Sequence, residues 1–414
     1  MTSETLPMAR GSATLVQARP ATQVRVAFID NIRILLVVVL IIFHLAITYG
    51  GEGSWNYREG QADTITTVVL TLFVTVNQAF FMGFYFLIAA YFVPRSLERK
   101  GSIQFLKERF LRLGVPLAFY LLVVSPLISY GLGITIWEYT GSFWGYIGDY
   151  WRKYELLDVG PLWFVEALLI FSVACALWWR LAKPQAHPVR FEGAAPGNVA
   201  IAIFALAIGL VTFLVRIWLP VGWFFAPLGL QFPHFPQYTG LFVVGTIAYR
   251  RGWLSTISED AARGKLWGGV VAFLVALAPV LFVLGGALEG NTEPFRGGLH
   301  WQNLVYALWE QFLCVAMVIS LLVWFRKRRD RQGKLARAMS SSAYAVYVFH
   351  APILLFVSIG LGSVELYPLL KFVLAAASCI PLCFLAGLAA AICIPLCVLA
   401  GGLVRKLPVA RRIY

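Results

Sequence analysis

Apolar residues in this chain come in blocks, not in the alternation of a half-buried strand or the one-sided stripe of a surface helix. Ten blocks are candidates to cross about 30 Å of hydrocarbon. They lie at roughly 31–50, 67–93, 113–136, 160–182, 198–219, 237–250, 266–288, 301–325, 342–361 and 369–404. The sixth is short, and the Pro-rich stretch Gln231–Gln237 before it reads as a re-entrant or interfacial lead-in. In lipid, backbone hydrogen bonds must close within the segment, so each block is expected to be a helix. The expected fold is an all-α membrane protein, a polytopic bundle of about ten transmembrane helices. A tail at 1–27 would precede the bundle at 28–404, and a basic tail at 405–414 would follow it. The last block is too long for one crossing and holds a repeat: Cys379-Ile-Pro-Leu-Cys383-Phe-Leu-Ala-Gly387 recurs as Cys393-Ile-Pro-Leu-Cys397-Val-Leu-Ala-Gly401. The two copies start fourteen residues apart, close to four helical turns, so both present one face. A hairpin there would reverse the end of the chain, and one long helix kinked at Pro381 or Pro395 is expected instead.

Composition agrees with this reading. Hydrophobic residues make up 60% of the 414 and charged residues 13%, against about 25% charged in soluble domains. The net charge of +14 raises nucleic acid as a partner, but the positions of the charges argue against it. All but seven of the 34 Lys and Arg fall in alternate connecting segments, as the positive-inside rule requires if both termini are cytoplasmic. Arg326-Lys327-Arg328-Arg329 is then a stop-transfer flank. The first residues carry no apolar signal core, so the first span is expected to be an uncleaved anchor. The six cysteines lie in apolar runs without His, Asp or Glu beside them, which argues against both disulfides and a metal. No connecting loop exceeds roughly 25 residues, so chemistry belongs within the bundle or at its rims.

Ionisable groups at membrane depth are costly and are functional candidates by default. They are Arg33, His44, Glu166, Arg216, Glu310 and His350, joined by the polar pairs Asn77-Gln78 and Glu310-Gln311. Arg33 and His44 are eleven residues apart, within roughly 20° around one helix and about 16 Å along it. With the N-terminus inside, the arginine lies near the inner surface and the histidine beyond the midplane, where a neutral imidazole suits general-base work. Snorkelling of Arg33 to headgroups and a bond from His44 to a neighbouring helix would explain the same residues. Arg109 and Arg112, spaced i,i+3 at the inner rim, suit a phosphate-bearing ligand or serve as an ordinary basic flank. Glu166 and Glu310 can pair with Arg33, Arg216 or a histidine. Tyr347 shares a face with His350, and Tyr344 lies off it. Arg216 either caps its helix or supplies a cation for a charged acyl group. His187, His234 and His300 fall in loops and are expected at the surface.

These residues resemble the integral-membrane acyltransferase 3 family. The matching features are Asp30-Asn-Ile-Arg33 with His44, an Arg-x10-His pattern, and Arg109-Phe-Leu-Arg112, an Arg-x-x-Arg pattern. Tyr91-Phe-Val-Pro-Arg-Ser, Pro161-Leu-Trp-Phe-Val-Glu and Ser342-Ala-Tyr-Ala-Val-Tyr-Val-Phe-His350 are also similar, and the likeness runs from residue 28 to about 404. Ile88-Ala-Ala-Tyr91 departs from the Ser-Gly pair many relatives carry, which bears on packing more than on chemistry. The chain resembles the stand-alone branch, and within it Gly160-Pro-Leu-Trp163 and Tyr91-Phe-Val-Pro-Arg-Ser96 look similar to periplasmic glucan-modifying members. The resemblance implies a bacterial inner-membrane enzyme moving an acetyl or succinyl group from cytoplasmic acyl-CoA to a carbohydrate hydroxyl, without a metal. It implies donor binding by Arg109, Arg112 and Arg33, with His44 as base and Asp30, Glu166, Glu310, Tyr347 and His350 in support. A homo-oligomer is left open. Two other classes compete: a proton-coupled transporter or flippase with His44, Glu166 and Glu310 as its relay, and a non-catalytic scaffold.

Overall fold

The computed structural model describes residues 27–152, 159–182, 194–225 and 228–404, the side chains of 393–404 excepted. The tails expected at 1–27 and 405–414 lie outside the described residues except for Ala27, which opens the first helix. The chain is helical: α1 (Ala27–Thr48), α2 (Thr64–Gln78), α3 (Phe81–Tyr91), α4 (Val93–Arg109), α5 (Val115–Phe119), α6 (Ser125–Thr135), α7 (Phe143–Arg152) and α8 (Trp163–Ala182). It continues through α9 (Asn198–Trp218), α10 (Phe235–Arg251), α11 (Trp253–Glu259), α12 (Ala261–Leu284), α13 (Glu293–Arg296), α14 (Trp301–Arg328), α15 (Lys334–Gly360) and α16 (Pro368–Val404). Among the described residues, nine helical stretches are long and apolar enough to cross a membrane. The tenth expected span is α10, whose 17 residues follow a short 3-10 turn at Phe232–His234. The long C-terminal helix forms as one element.

Proline and polar pairs explain the interruptions. The second span breaks between α2 and α3, where Phe80 leaves helical geometry (φ −131°). Asn77 folds its amide back onto Phe73 O (2.7 Å), and Gln237 on α10 donates to the freed Ala79 O (2.8 Å). A broken helix at membrane depth survives only where protein groups satisfy the freed backbone in this way. The third span runs from α4 to α6 through two π-turns, Phe110–Gly114 and Tyr120–Val124, each just before a proline (Pro116 or Pro126). Pro116 has no N–H for the carbonyl of Arg112, and the Tyr344 hydroxyl donates to that oxygen instead (3.0 Å).

α1 and α14 form the interior, with 56% and 67% of their most apolar windows buried, whereas α12 has 17% buried and faces outward. Small residues permit close approach: a side chain at Gly245 of α10 would meet Leu87 O of α3 at 2.4 Å. In the repeated segment, Gly387 lies against Val346 of α15 and Cys379 and Cys383 are fully buried. The second copy's side chains lie outside the described residues. Asn31 at the start of α1 donates to Arg329 O (2.6 Å) and Arg331 O (3.1 Å), tying the α14–α15 connection to the first helix.

Candidate active site

α1 presents Arg33 and His44 to two different neighbourhoods. Arg33 Nη1 donates to Asp30 Oδ1 one turn back (3.1 Å), and its guanidinium lies over the Phe92 ring at 5.0 Å. Tyr85 and Arg112 lie within electrostatic range of it. Arg112 sits in the first π-turn, in range of Arg109, whose guanidinium lies over Phe105 at 5.1 Å. Arg112 is exposed, Arg33 and Arg109 are half-buried. Three guanidinium groups from α1, α4 and a π-turn therefore gather at one end of the first helix. A π-turn re-aims the side chains around it and recurs at functional sites.

His44 is 9% exposed and enclosed by rings: Phe43 at 5.4 Å, Trp55 at 3.9 Å edge-on, and His350 of α15 at 5.3 Å. His350 holds Tyr347 O with Nδ1 (2.6 Å), and Trp55 stacks on His350 at 6.1 Å and 21°. The Tyr347 hydroxyl donates to Pro161 O, which pins the 3-10 turn Gly160–Leu162 against α15 and sets Glu166 in the first turn of α8. Tyr85 lies within range of Tyr347, and Phe164 packs on both (5.5 Å and 5.9 Å). A line of polar and aromatic groups thus joins the two ends of α1, from Arg33 through Tyr85, Tyr347 and His350 to His44.

Trp55 arrives on the loop between α1 and α2, which is strapped down. Glu59 N–H donates to Thr48 O (2.9 Å), Lys371 of α16 forms a close ion pair with Glu59, and Arg58 bonds Gly51 O (2.7 Å). Asp63 caps α2 through Thr66 and accepts from the Tyr367 hydroxyl (3.1 Å); the Thr66 hydroxyl and N–H hold its carboxyl below the usual carboxylate range.

Four buried polar atoms along this line have no hydrogen-bond partner among the described residues: His44 Nδ1, Trp55 Nε1, Tyr85 Oη and His350 Nε2; Glu166 Oε2, at the start of α8, is likewise buried without one. Buried polar groups are normally satisfied, so these atoms call for a partner from outside the chain, whether water, ion or ligand.

The remaining ionisable groups assemble elsewhere. Arg216, fully buried at the end of α9, donates to Glu310 Oε2 of α14 (2.6 Å), to Pro233 O (3.3 Å) and lies 3.2 Å from His234 Nδ1. Glu310 Oε1 stands 3.6 Å from His234, and Tyr306 lies beneath the guanidinium at 5.5 Å. Gln311 donates to Glu310 (3.3 Å) and accepts from Gln237 (3.0 Å). Glu310 therefore meets Arg216, one of the partners its position allowed, and neither Arg33 nor His44. The expectation that His234 is a surface residue is corrected: at 5% exposure it is part of this cluster, because the 3-10 turn folds back between α9 and α14. His300 is exposed, and His187 lies outside the described residues. Trp55 and Tyr85 were not singled out by sequence reasoning. One sits in a polar loop and the other in an apolar run, and only the folded chain brings them to the site.

The fold is thus one of apolar spanning helices, with a buried imidazole on the first of them and three guanidinium groups gathered at its other end. An acyltransferase-domain model of the acyltransferase 3 family matches residues 26–388, and the chain belongs to that family. It is a multi-pass membrane acyltransferase. Among curated proteins it is similar to Glucans biosynthesis protein C of Escherichia coli, in strains UMN026, ED1a and UTI89. Each is 22% identical over 350 residues, covering 81% of this chain and 84% of the relative. No solved structure matches.

Proposed function

We propose that this protein moves an acyl group, acetyl or succinyl, from cytoplasmic acyl-CoA to a hydroxyl of a glucan or related envelope carbohydrate on the far side of a bacterial inner membrane. Both termini are cytoplasmic in this reading, which rests on the alternation of basic segments. The observation that carries it is the pair of neighbouring buried imidazoles, His44 and His350, at one end of a polar line whose other end holds Arg33 and Arg112. A donor that touches both ends is elongated, with a polyanionic part and a reactive part about 16 Å apart along α1. Acyl-CoA has that form. Arg109 and Arg112 bind its phosphates, Arg33, held by Asp30, lies along the pantetheine arm, and His44 takes the proton of the attacking hydroxyl. Trp55, Glu166 and Tyr85 offer unpartnered polar atoms to the acceptor and thioester. The names of the relatives support a glucan as acceptor.

The transport reading required His44, Glu166 and Glu310 in one relay, whereas Glu310 is engaged by Arg216 and His234. The test is direct: purified protein in lipid nanodiscs, supplied with labelled acetyl-CoA or succinyl-CoA and a glucan. Label on the glucan with stoichiometric release of CoA thiol is expected from one of the two donors. Binding of glucan without CoA release from any donor would refute the proposal.

A further inference from the structure

His350 is the best-defined buried base outside the Arg33–His44 pair. Its Nδ1 lies 2.6 Å from Tyr347 O, a carbonyl one turn back on its own helix. A carbonyl oxygen only accepts, so Nδ1 carries the hydrogen, and the neutral ring keeps Nε2 as a lone-pair acceptor. That Nε2 is buried without a hydrogen-bond partner among the described residues, as is Nδ1 of His44. An N–H···N bond of ordinary length, about 3 Å between nitrogens, puts two imidazole centroids about 5 Å apart. These two stand 5.3 Å apart with their planes at 78°. χ2 of histidine is a broad torsion, and the bond from His44 Nδ1 to His350 Nε2 requires a turn of the His44 ring about it. The bond to Tyr347 O fixes the His350 ring, on which Trp55 stacks; the same indole lies edge-on to His44 at 3.9 Å. His350 is fully buried whereas His44 is 9% exposed, which makes His44 the ring a substrate reaches.

We infer that His350 is the positioning residue of His44: its Nε2 accepts the Nδ1–H of His44 and leaves His44 Nε2 as the base. This rests on the reading of His44 as the base. It is the place a carboxylate takes beside the imidazole of a Ser-His-Asp triad, filled here by a second imidazole. In the step it serves, the acceptor oxygen bonds to the thioester carbonyl carbon as its proton moves to His44 Nε2. The C–S bond then breaks and that proton passes to the departing sulfur, giving ester and CoA thiol. His350 keeps its own proton on Nδ1, donated to Tyr347 O throughout, and steadies the imidazolium.

Three variants in nanodiscs test this, each checked for wild-type yield and gel-filtration profile. His350→Phe fills the volume without an acceptor. His350→Asn can reach Tyr347 O but has nothing at the Nε2 position, and His350→Gln carries an amide there. Phe and Asn are each expected to lower kcat about a hundredfold at unchanged donor KM, with Gln recovering about tenfold of the loss. A purely structural role would not separate Gln from Asn in this way. Wild-type kcat in either the Phe or the Asn variant, alongside an inactive His44→Ala, overturns the inference while leaving the base in place. Full activity of His44→Ala would instead overturn the base assignment itself.

Discussion

Two buried polar clusters in this bundle are built from the same kinds of residue and end differently. Around Glu310, arginine, histidine and glutamine side chains spend nearly all their hydrogen-bonding capacity on one another; the unpartnered Arg216 Nη1 is the exception. Around His44, two imidazoles and an indole lie together and each leaves a buried nitrogen unpartnered, as the Tyr85 phenol does its oxygen further along the line. A closed network joins helices, here α9, α10 and α14, and removing one member exposes the full cost of a buried charge. An open network costs stability as it stands and retains its bonds for a ligand. The difference teaches that a buried polar group is a candidate for chemistry when its partners are missing from the protein, and a structural tie when they are present.

The largest effect that would sharpen this contrast comes from His44→Ala. Acyl transfer should fall about a thousandfold in the labelled-donor assay, with membrane insertion and yield unchanged. Glu310→Ala should do the opposite, lowering stability by about 3–5 kcal/mol by stranding Arg216, as read by thermal unfolding in detergent. The paired change Arg216→Met with Glu310→Leu should restore most of that stability; if transfer stays lost at restored stability, the closed cluster has a chemical role and the contrast fails. Arg109→Ala should weaken acyl-CoA binding about tenfold by calorimetry, the scale of one charge-assisted contact, at unchanged chemistry once donor saturates. The smallest expected change is in partitioning. Trp55→Ala should raise CoA release in the absence of glucan by a few-fold, because the indole covers His44 and keeps water from it. Equal partitioning would remove Trp55 from the site.

Much of the site was legible along the chain and little of it across the chain. Arg33 and His44 stood out because charge in an apolar run is expensive, and their spacing placed them on one face. Arg109 and Arg112 were legible as a pair, but not the π-turn that begins between them, which needs the missing N–H of Pro116 and the hydroxyl of Tyr344 to be stable. Asn77-Gln78 was conspicuous as polar, yet its part in a helix break depends on Gln237 from a distant helix. His234 was misjudged because loop residues are usually solvated, and a proline-rich turn that folds inward gives no local sign of doing so.

By itself, then, the sequence determined the apolar helical stretches and which of them carry costly polar residues, because hydropathy and helical rise act along one dimension. It pointed to the family through short motifs, each contained in one local stretch of chain. Only the tertiary structure decided which costly residues meet: His44 with His350 under Trp55, and Glu310 with Arg216 and His234. Those meetings depend on how each helix is rotated about its axis and which loop folds inward. Packing between elements far apart in the chain sets both, and no local pattern records it.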